Sequence, residues 1–201
     1  MYNSVKFFVG DRMNKKSNKK KFMVTLAGKY RGPYFEKIKM LKKELLEKGI
    51  DVLYPPEGNM SLDNYGFFDS DRRTGDNSRD FDRAEMNFLY KTYKKCDAII
   101  FCNFDGYLGR MTSNELYFFS SLIVCNFEKG QEEYYNLVNG YIPIYLLEEV
   151  NVDSFNNSDE LGDFLILLKY GIDKGLIKVG LSSFYEDFET GIINKIKTKL
   201  F

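Results

Sequence analysis

The stretch that decides the fold runs from Asp97 to Glu128 and reads DAIIFC, NFDGYLGR, MTSNE and LYFFSSLIVCNFE. Its first part is a short apolar run, which is typical of a buried strand. The two glycines that follow free the backbone for a tight loop. The last part predicts a helix because apolar residues recur at helical spacing: Leu116, Phe119, Ile123 and Phe127. A strand, a glycine loop and a helix in this order are typical of parallel α/β sheets, whose ligands bind at the carboxyl ends of the strands.

Three further apolar runs predict strands of the same sheet: Lys21–Ala27, Ile50–Tyr54 and Ile142–Leu147. A helical pattern separates the first two, with Pro33 suited to its first turn and Gly49 to its C-terminal cap. Strand, helix and strand joined by short turns form a parallel crossover. We therefore predict an α/β fold with a doubly wound, mainly parallel, Rossmann or flavodoxin-like sheet and helices on both faces.

The rest of the chain adds segments to one predicted domain, residues 1–201. Residues 1–21 are predicted to hold a short strand and a mobile, lysine-rich loop. Residues 57–80 are predicted to form a long polar loop, which is typical of a functional or a disordered segment. A helix is predicted from Asp82 to Cys96. Residues 151–201 are predicted to form a helical C-terminal cover, with extra helices at Asp159–Tyr170 and Ser183–Leu200.

The second of these C-terminal helices carries two further predictions. Ser183-Phe184-Tyr185-Glu186 fits a capping box and would open the helix. Phe184 and Phe188 lie on one regular stripe, which predicts that the helix covers either the sheet or a partner subunit. An exposed stripe of this kind would suit a homo-oligomer.

Composition excludes several classes of function. Lys+Arg 29 balance Asp+Glu 29, so the broad basic surface of a nucleic-acid-binding protein is absent. The chain has no histidine, which excludes Ser-His-Asp and Cys-His catalysis and histidine-bound zinc. The three cysteines lie in or beside apolar runs without metal-like spacing, which indicates reduced thiols in a cytoplasmic protein. No apolar run approaches the length of a membrane span. We expect no metal, cofactor, membrane or nucleic-acid partner.

Glu115 has two interpretations from the residues alone. Thr112-Ser113-Asn114-Glu115 fits the capping-box pattern, in which the glutamate binds an unpaired backbone N–H at the start of the helix. Alternatively, the carboxylate points into the crevice at the end of the strand and takes part in chemistry. Spacing does not decide between these alternatives.

The loop after the first strand is the second candidate site. Two glycines, a following helix and the cations Lys29 and Arg31 can together bind an anion. The alternative is an ordinary strand-to-helix turn whose charges face solvent. Lysine and arginine here would suit a phosphorylated substrate.

The segment Gly106-Tyr107-Leu108-Gly109, followed by Thr112-Ser113-Asn114-Glu115-Leu116, resembles the signature of the nucleoside 2-deoxyribosyltransferase-like superfamily. The similarity covers roughly residues 22–147. The resemblance implies that Glu115 is the nucleophile at the anomeric carbon of a sugar and that the two glycine loops bind the substrate. On this basis the substrate-binding candidates are Gly28, Lys29, Tyr30, Arg31, Asp105, Gly106, Tyr107, Gly109, Arg110, Thr112 and Ser113.

The sequence departs from the family at its acidic residues. Transferases of the family carry an aspartate six residues before the nucleophile, where this chain has Gly109. The family's second acid lies on the helix before the Asp97 strand, and the candidate here is Glu85, which we carry as a catalytic acid or base or a sugar-binding group. The alternative for Glu85 is a solvated helix face.

The resemblance implies cleavage or transfer of an N-glycosidic bond in a nucleoside or nucleotide, and a homo-oligomer in which a neighbouring subunit completes the pocket. Two alternatives remain open. One is a glycohydrolase that attacks the ribose of a dinucleotide such as NAD and releases nicotinamide. The other is a catalytically inactive module that binds a nucleotide as a sensor.

Overall fold

The computed structural model describes residues 21–55, 88–128, 142–151 and 159–193. The predictions for residues 1–20, for the loop at 57–80, for Glu85 and for residues 194–200 lie outside these residues. Five strands are described: β1 (Met23–Ala27), β2 (Asp51–Tyr54), β3 (Ala98–Phe101), β4 (Ile144–Leu146) and β5 (Ile177–Val179). The helices are α1 (Gly32–Glu47), α2 (88–95), α3 (Arg110–Glu128), α4 (Asp159–Asp173) and α5 (Leu181–Glu189). A short 3-10 turn spans Phe104–Gly106.

The strands form one sheet in the order β2-β1-β3-β4-β5, and every neighbouring pair is parallel. This order is that of flavodoxin-like folds. The predicted parallel α/β sheet is confirmed. The four strands that were predicted within the described residues correspond to β1 to β4. The fifth strand was not predicted, because three residues are too short for an alternating pattern to stand out.

Alternate side chains of β3 enter two separate clusters of buried apolar residues, as the pleat of a strand requires. Ile99 and Phe101 pack with residues of α2, α3 and α4. Ala98 and Ile100 pack with residues of α1 and α5. All four of these β3 side chains are fully buried. Different helices therefore pack against the two alternating sets of side chains on β3.

Helix α1 begins and ends as the sequence predicts. Pro33 lies in its first turn, where a missing N–H costs nothing. At its end, Gly49 has a φ of 77° and donates its N–H to Leu46 O, while Ile50 donates to Leu45 O. This pair of bonds is a Schellman motif, which satisfies the last carbonyls of the helix. Ile38, Leu41 and Leu45 are the buried positions of α1.

The predictions for the last helix are wrong in two respects. Helix α5 begins at Leu181, and the Ser183 hydroxyl donates to Val179 O at 3.0 Å, so Ser183 is no N-cap. The helix ends at Glu189, and Gly191 follows with a φ of 68°. Phe184 is fully buried, and Phe188 packs against the same cluster, so this stripe covers the sheet and is not an exposed oligomer surface.

A buried polar group ties α5 to the sheet. Asp187 on α5 is 3% exposed, and its carboxylate accepts a hydrogen bond of 2.8 Å from the Tyr145 hydroxyl on β4. Lys178 on β5 donates to both carboxylate oxygens at 2.8 and 2.7 Å. Because a buried carboxylate is costly without partners, these three residues hold α5 to the edge of the sheet.

Among the described residues, no helix is long and apolar enough to cross a membrane.

We expect Asp187→Ala to lower the free energy of unfolding by about 2–4 kcal/mol, because it leaves the buried Tyr145 hydroxyl without its acceptor and Lys178 without its counter-ion. Urea denaturation measures this loss. The exposed neighbour Glu186→Ala serves as the control and should change stability by no more than about 0.5 kcal/mol. Equal losses for the two variants would contradict the structural role of Asp187.

Candidate functional site

The candidate site lies where the order of the strands reverses along the chain. From β1 the chain passes to β2 on one side, whereas β3 lies on the other side. In such sheets the loops after the two central strands run apart and leave a crevice at their carboxyl ends. Here these loops are residues 28–31 and 102–109.

Gly28 lies against the end of β3. A Cβ on Gly28 would lie 3.0 Å from Cys102 Cβ and 3.0 Å from Ile38 Cδ1, which is tighter than ordinary packing. Because a larger residue would push the two strand ends apart, Gly28 has a packing role. It brings the two loops of the candidate site together.

Tyr30 is partly buried in the loop after β1. Its ring packs against residues of both clusters, and its hydroxyl donates to Leu26 O on β1. Burial raises the pKa of Tyr30 well above its usual value, and the negative charge of Glu115 raises it further. Tyr30 and Glu115, which were both predicted as site residues, therefore act on each other in the structure.

Glu115 does not belong to a capping box. Helix α3 begins at Arg110, and Ser113 donates its N–H to Gly109 O at 2.9 Å, so Gly109 takes the N-cap position. Glu115 is the sixth residue of the helix, beyond the turn whose N–H groups need a cap. The capping interpretation is wrong, and Glu115 is a buried carboxylate, 8% exposed, in the second turn.

The neighbouring candidates on α3 have local roles. The Ser113 hydroxyl donates to Gly109 O at 3.1 Å, four residues earlier. Thr112 is buried. Arg110 is the first residue of the helix, and its side chain lies outside the described part. A Cβ on Gly109 would fit, because the nearest atom to it would be the Tyr107 hydroxyl oxygen at 3.8 Å. The space around this position therefore does not require glycine.

The loop after β3 is fixed to the loop after β4. The buried Asn103 side chain donates to Glu148 O at 2.5 Å and accepts from Glu148 N–H at 3.2 Å. Gly106 has a φ of 68° and accepts a hydrogen bond from Asn151 N–H at 2.9 Å. A Cβ on Gly106 would lie 2.8 Å from Glu149 O, so both this close approach and the positive φ favour glycine here.

Asp105 does not face Glu115. Its side chain is exposed, in a turn with a φ of 58°, and it forms an ion pair of 3.3 Å with Lys37 of α1. As an exposed pair it contributes little stability. Arg31 is exposed and takes the N-cap position of α1. These two candidates lie at the rim of the site.

Lys29 and Tyr107 lie together. The rings of Tyr34 and Tyr107 are stacked, with 5.7 Å between their centroids. The Lys29 ammonium lies 4.9 Å from the centroid of the Tyr34 ring and 5.1 Å from the centroid of the Tyr107 ring. A cation over an aromatic ring is attracted by the negative face of the ring. The two loops that were predicted to bind substrate are therefore joined by direct contact.

Several residues of the site were not predicted. Tyr54, the last residue of β2, is buried, and its charge when ionised would act on Tyr30, as would those of Cys102 and Cys96. The position of Tyr54 at the carboxyl end of a neighbouring strand was the signal that sequence analysis could have used. Burial raises the pKa of the Cys102 thiol as well, so it stays protonated.

A small polar network lies beside this group. Thr25 of β1 and Thr92 of α2 share a hydrogen bond of 3.1 Å between their hydroxyls, and the Thr25 hydroxyl also contacts Cys96 Sγ at 3.0 Å. Both threonines are fully buried. The network joins α2 to β1. No local pattern in the sequence indicated it.

In the part of the chain that the structure describes, no group of three or more Cys, Asp or Glu residues could hold a metal ion. The titratable groups that act on Tyr30 are Glu115, Cys102, Tyr54 and Cys96. Comparisons with protein-family models, with curated proteins and with solved structures found no match to this chain. The resemblance described above therefore stays a prediction.

Gly106→Ala should destabilise the protein by about 3 kcal/mol. The alanine would be held at an unfavourable positive φ, and its Cβ would overlap Glu149 O. Gly175→Ala is the matched control, since Gly175 has the same φ of 68° with no atom within 4 Å, and we expect a loss of about 1 kcal/mol. Thermal and urea denaturation compare the two. Equal losses would show that the contact with Glu149 does not constrain the loop.

The raised pKa of Tyr30 predicts how stability changes with pH. Above about pH 10 the unfolded chain releases this proton while the folded chain keeps it, so stability falls as pH rises toward the folded-state pKa. Tyr30→Phe should lose about 1 kcal/mol near neutral pH and decline less steeply above about pH 10. Urea denaturation at about pH 8 and about pH 11 measures both slopes. Parallel slopes would contradict the burial of the Tyr30 hydroxyl.

Proposed function

We propose that this protein cleaves or transfers the N-glycosidic bond of a nucleoside or nucleotide, with Glu115 as the nucleophile. The observation that carries the proposal is the position of Glu115. The carboxylate lies in the second turn of α3, outside the capping turn, and acts on Tyr30 in the crevice between β1 and β3. The resemblance in residues 106–116 supports the same assignment.

The reaction requires a carboxylate beneath the anomeric carbon of the sugar. A carboxylate oxygen of Glu115 attacks this carbon, and the bond to the base breaks as the base takes the electron pair and a proton. Water or a second base then attacks the same carbon and releases the glutamate. Hydrolysis and transfer differ only in this acceptor.

The groups that act on Tyr30 bear on which residue could supply a proton in the proposed reaction. Besides Glu115 they are a tyrosine and two thiols, which are uncharged at neutral pH at their ordinary pKa values. Tyr30 itself is too weak an acid to protonate the departing base, because its pKa is raised. Its role is that of a neutral wall beside the carboxylate. The proton for the base must come from another group or from water.

A nucleotide-binding module without catalytic activity is the second candidate, and Gly109 favours it. The related transferases carry an aspartate at this position, and here the position offers no side chain at all. A module of this kind would keep the crevice and bind the same class of ligand without releasing a base.

Glu115→Gln should lower the rate of base release on the order of a thousandfold, because an amide oxygen is a far weaker nucleophile than a carboxylate. The full chain is incubated with deoxynucleosides, their 5′-monophosphates and NAD, and free base is measured by chromatography. Glu36→Gln, an exposed glutamate on α1, is the control and should retain the wild-type rate.

Three outcomes separate the candidates. Base release that depends on Glu115, in a variant that still unfolds cooperatively, supports the proposed chemistry, and the substrate that reacts distinguishes a mononucleotide from NAD. No base release, together with a nucleotide-dependent rise in melting temperature, supports the binding module. Base release that survives Glu115→Gln would show that Glu115 is not the nucleophile.

A further inference from the structure

A second cleft lies at the carboxyl edge of the sheet, between α1 and the loops after three strands. Its volume is about 600 Å³, which is within the range of small-molecule sites in proteins. Side chains of α1 form one wall. Phe104, Leu147 and Leu181 form the other, and each of them lies within three residues of the end of β3, β4 or β5. This edge is where parallel α/β sheets bind ligands.

The two walls present apolar side chains to the cleft. Leu41 of α1 belongs to the buried cluster between the sheet, α1 and α5, and the three side chains of the opposite wall pack against the same cluster. Met40, also on the α1 wall, is 73% exposed. Because a methionine side chain is flexible and polarizable, it can adapt to the shape of an apolar ligand.

The charged side chains of the cleft already have partners within the chain. Lys37 forms an ion pair with Asp105 at 3.3 Å, and Lys43 forms one with Glu47 at 3.9 Å. The lining contains these two lysines, Glu47 and Glu44, so its charges sum to zero. A charged ligand would compete with a pair that is already formed, whereas an uncharged ligand would leave these pairs intact.

Contacts between the walls hold the cleft in shape. The Tyr185 hydroxyl of α5 donates to the Glu44 carboxylate of α1 at 2.6 Å, and the Lys48 ammonium lies 4.6 Å from the centroid of the Tyr185 ring. The Lys37 ammonium lies 5.1 Å from the centroid of Phe104 on the opposite wall. A ligand therefore meets walls that folding has already positioned, which lowers the cost of binding.

We propose that this cleft binds an uncharged, mainly apolar small molecule, at a site separate from the one that contains Glu115. The volume, the apolar walls and the balanced charges of the lining support this class of ligand. None of the residues that line the cleft is a candidate for the glycosidic reaction. The inference therefore goes beyond the proposed function and does not depend on it.

The test uses two fluorescent probes that share one ring system. N-phenyl-1-naphthylamine is uncharged, whereas 1-anilinonaphthalene-8-sulfonate carries a sulfonate. In fluorescence titrations of the full-length protein, we expect the uncharged probe to bind at least about tenfold more tightly than the sulfonate. The physical reason is that a sulfonate would compete with the carboxylates that pair with Lys37 and Lys43.

Substitutions of Met40 locate the bound probe. Met40→Asp removes apolar surface from the wall and adds a charge, so it should weaken binding of the uncharged probe at least about tenfold. Met40→Leu keeps the wall apolar and should keep the affinity. Leu46→Asp is the matched control, because Leu46 is another exposed apolar residue of α1, 41% exposed, that does not line the cleft. Its affinity for the probe should match that of the wild-type protein.

Four results would overturn the inference. They are no binding of the uncharged probe, equal losses for Met40→Asp and Leu46→Asp, a sulfonate probe that binds as tightly as the uncharged one, and a loss of binding in Glu115→Gln. Sedimentation velocity adds a fifth, since a wild-type dimer that Met40→Asp dissociates would assign the cleft to a second copy of the chain. Unchanged probe binding in Glu115→Gln would support a separate site, whether or not the wild-type protein releases a base.

Discussion

Where β1 lies beside β3, Ala27 pairs with Phe101, and the next residues come into close contact. Cys102 donates its N–H to Ala27 O at 2.7 Å, and a Cβ on Gly28 would lie 3.0 Å from the Cβ of Cys102. This approach favours glycine at position 28, because a Cβ there would crowd the Cβ of Cys102. It sets the spacing of the two loops that follow, and the positions of Tyr30, Lys29 and α3 depend on it.

The loop after β3 is held from its other side as well. Asn103 binds the backbone of Glu148 with both ends of its amide, and Gly106 lies against residues 149–151. The start of α3 is therefore fixed by contacts with the loop after β4. These contacts limit the freedom of the loop because each of them involves a backbone group of the neighbouring loop.

Burial decides the chemistry that remains at the site. Tyr30 and Cys102 both have raised pKa values because water is excluded from them, so they stay neutral. The negative charge of Glu115 raises the pKa of Tyr30 further.

The amino-acid sequence by itself determined β1 to β4, α1, α4, the Schellman end of α1 and the segment that contains Glu115, because each produces a periodic or local signal. It placed both predicted capping boxes three residues too far along the chain, since the N-cap positions are taken by Gly109 and Gly180 and not by Thr112 and Ser183. The hydroxyls of Ser113 and Ser183 instead donate to the carbonyl four residues earlier. A serine fits either bond, and only the start of the helix distinguishes them. The tertiary structure alone decided the order of the strands, the pairing of β5, the burial of Phe184 and the contact of Lys29 with two tyrosine rings. These features depend on contacts between residues that are far apart in the chain. A local sequence pattern does not indicate which distant residue a side chain contacts.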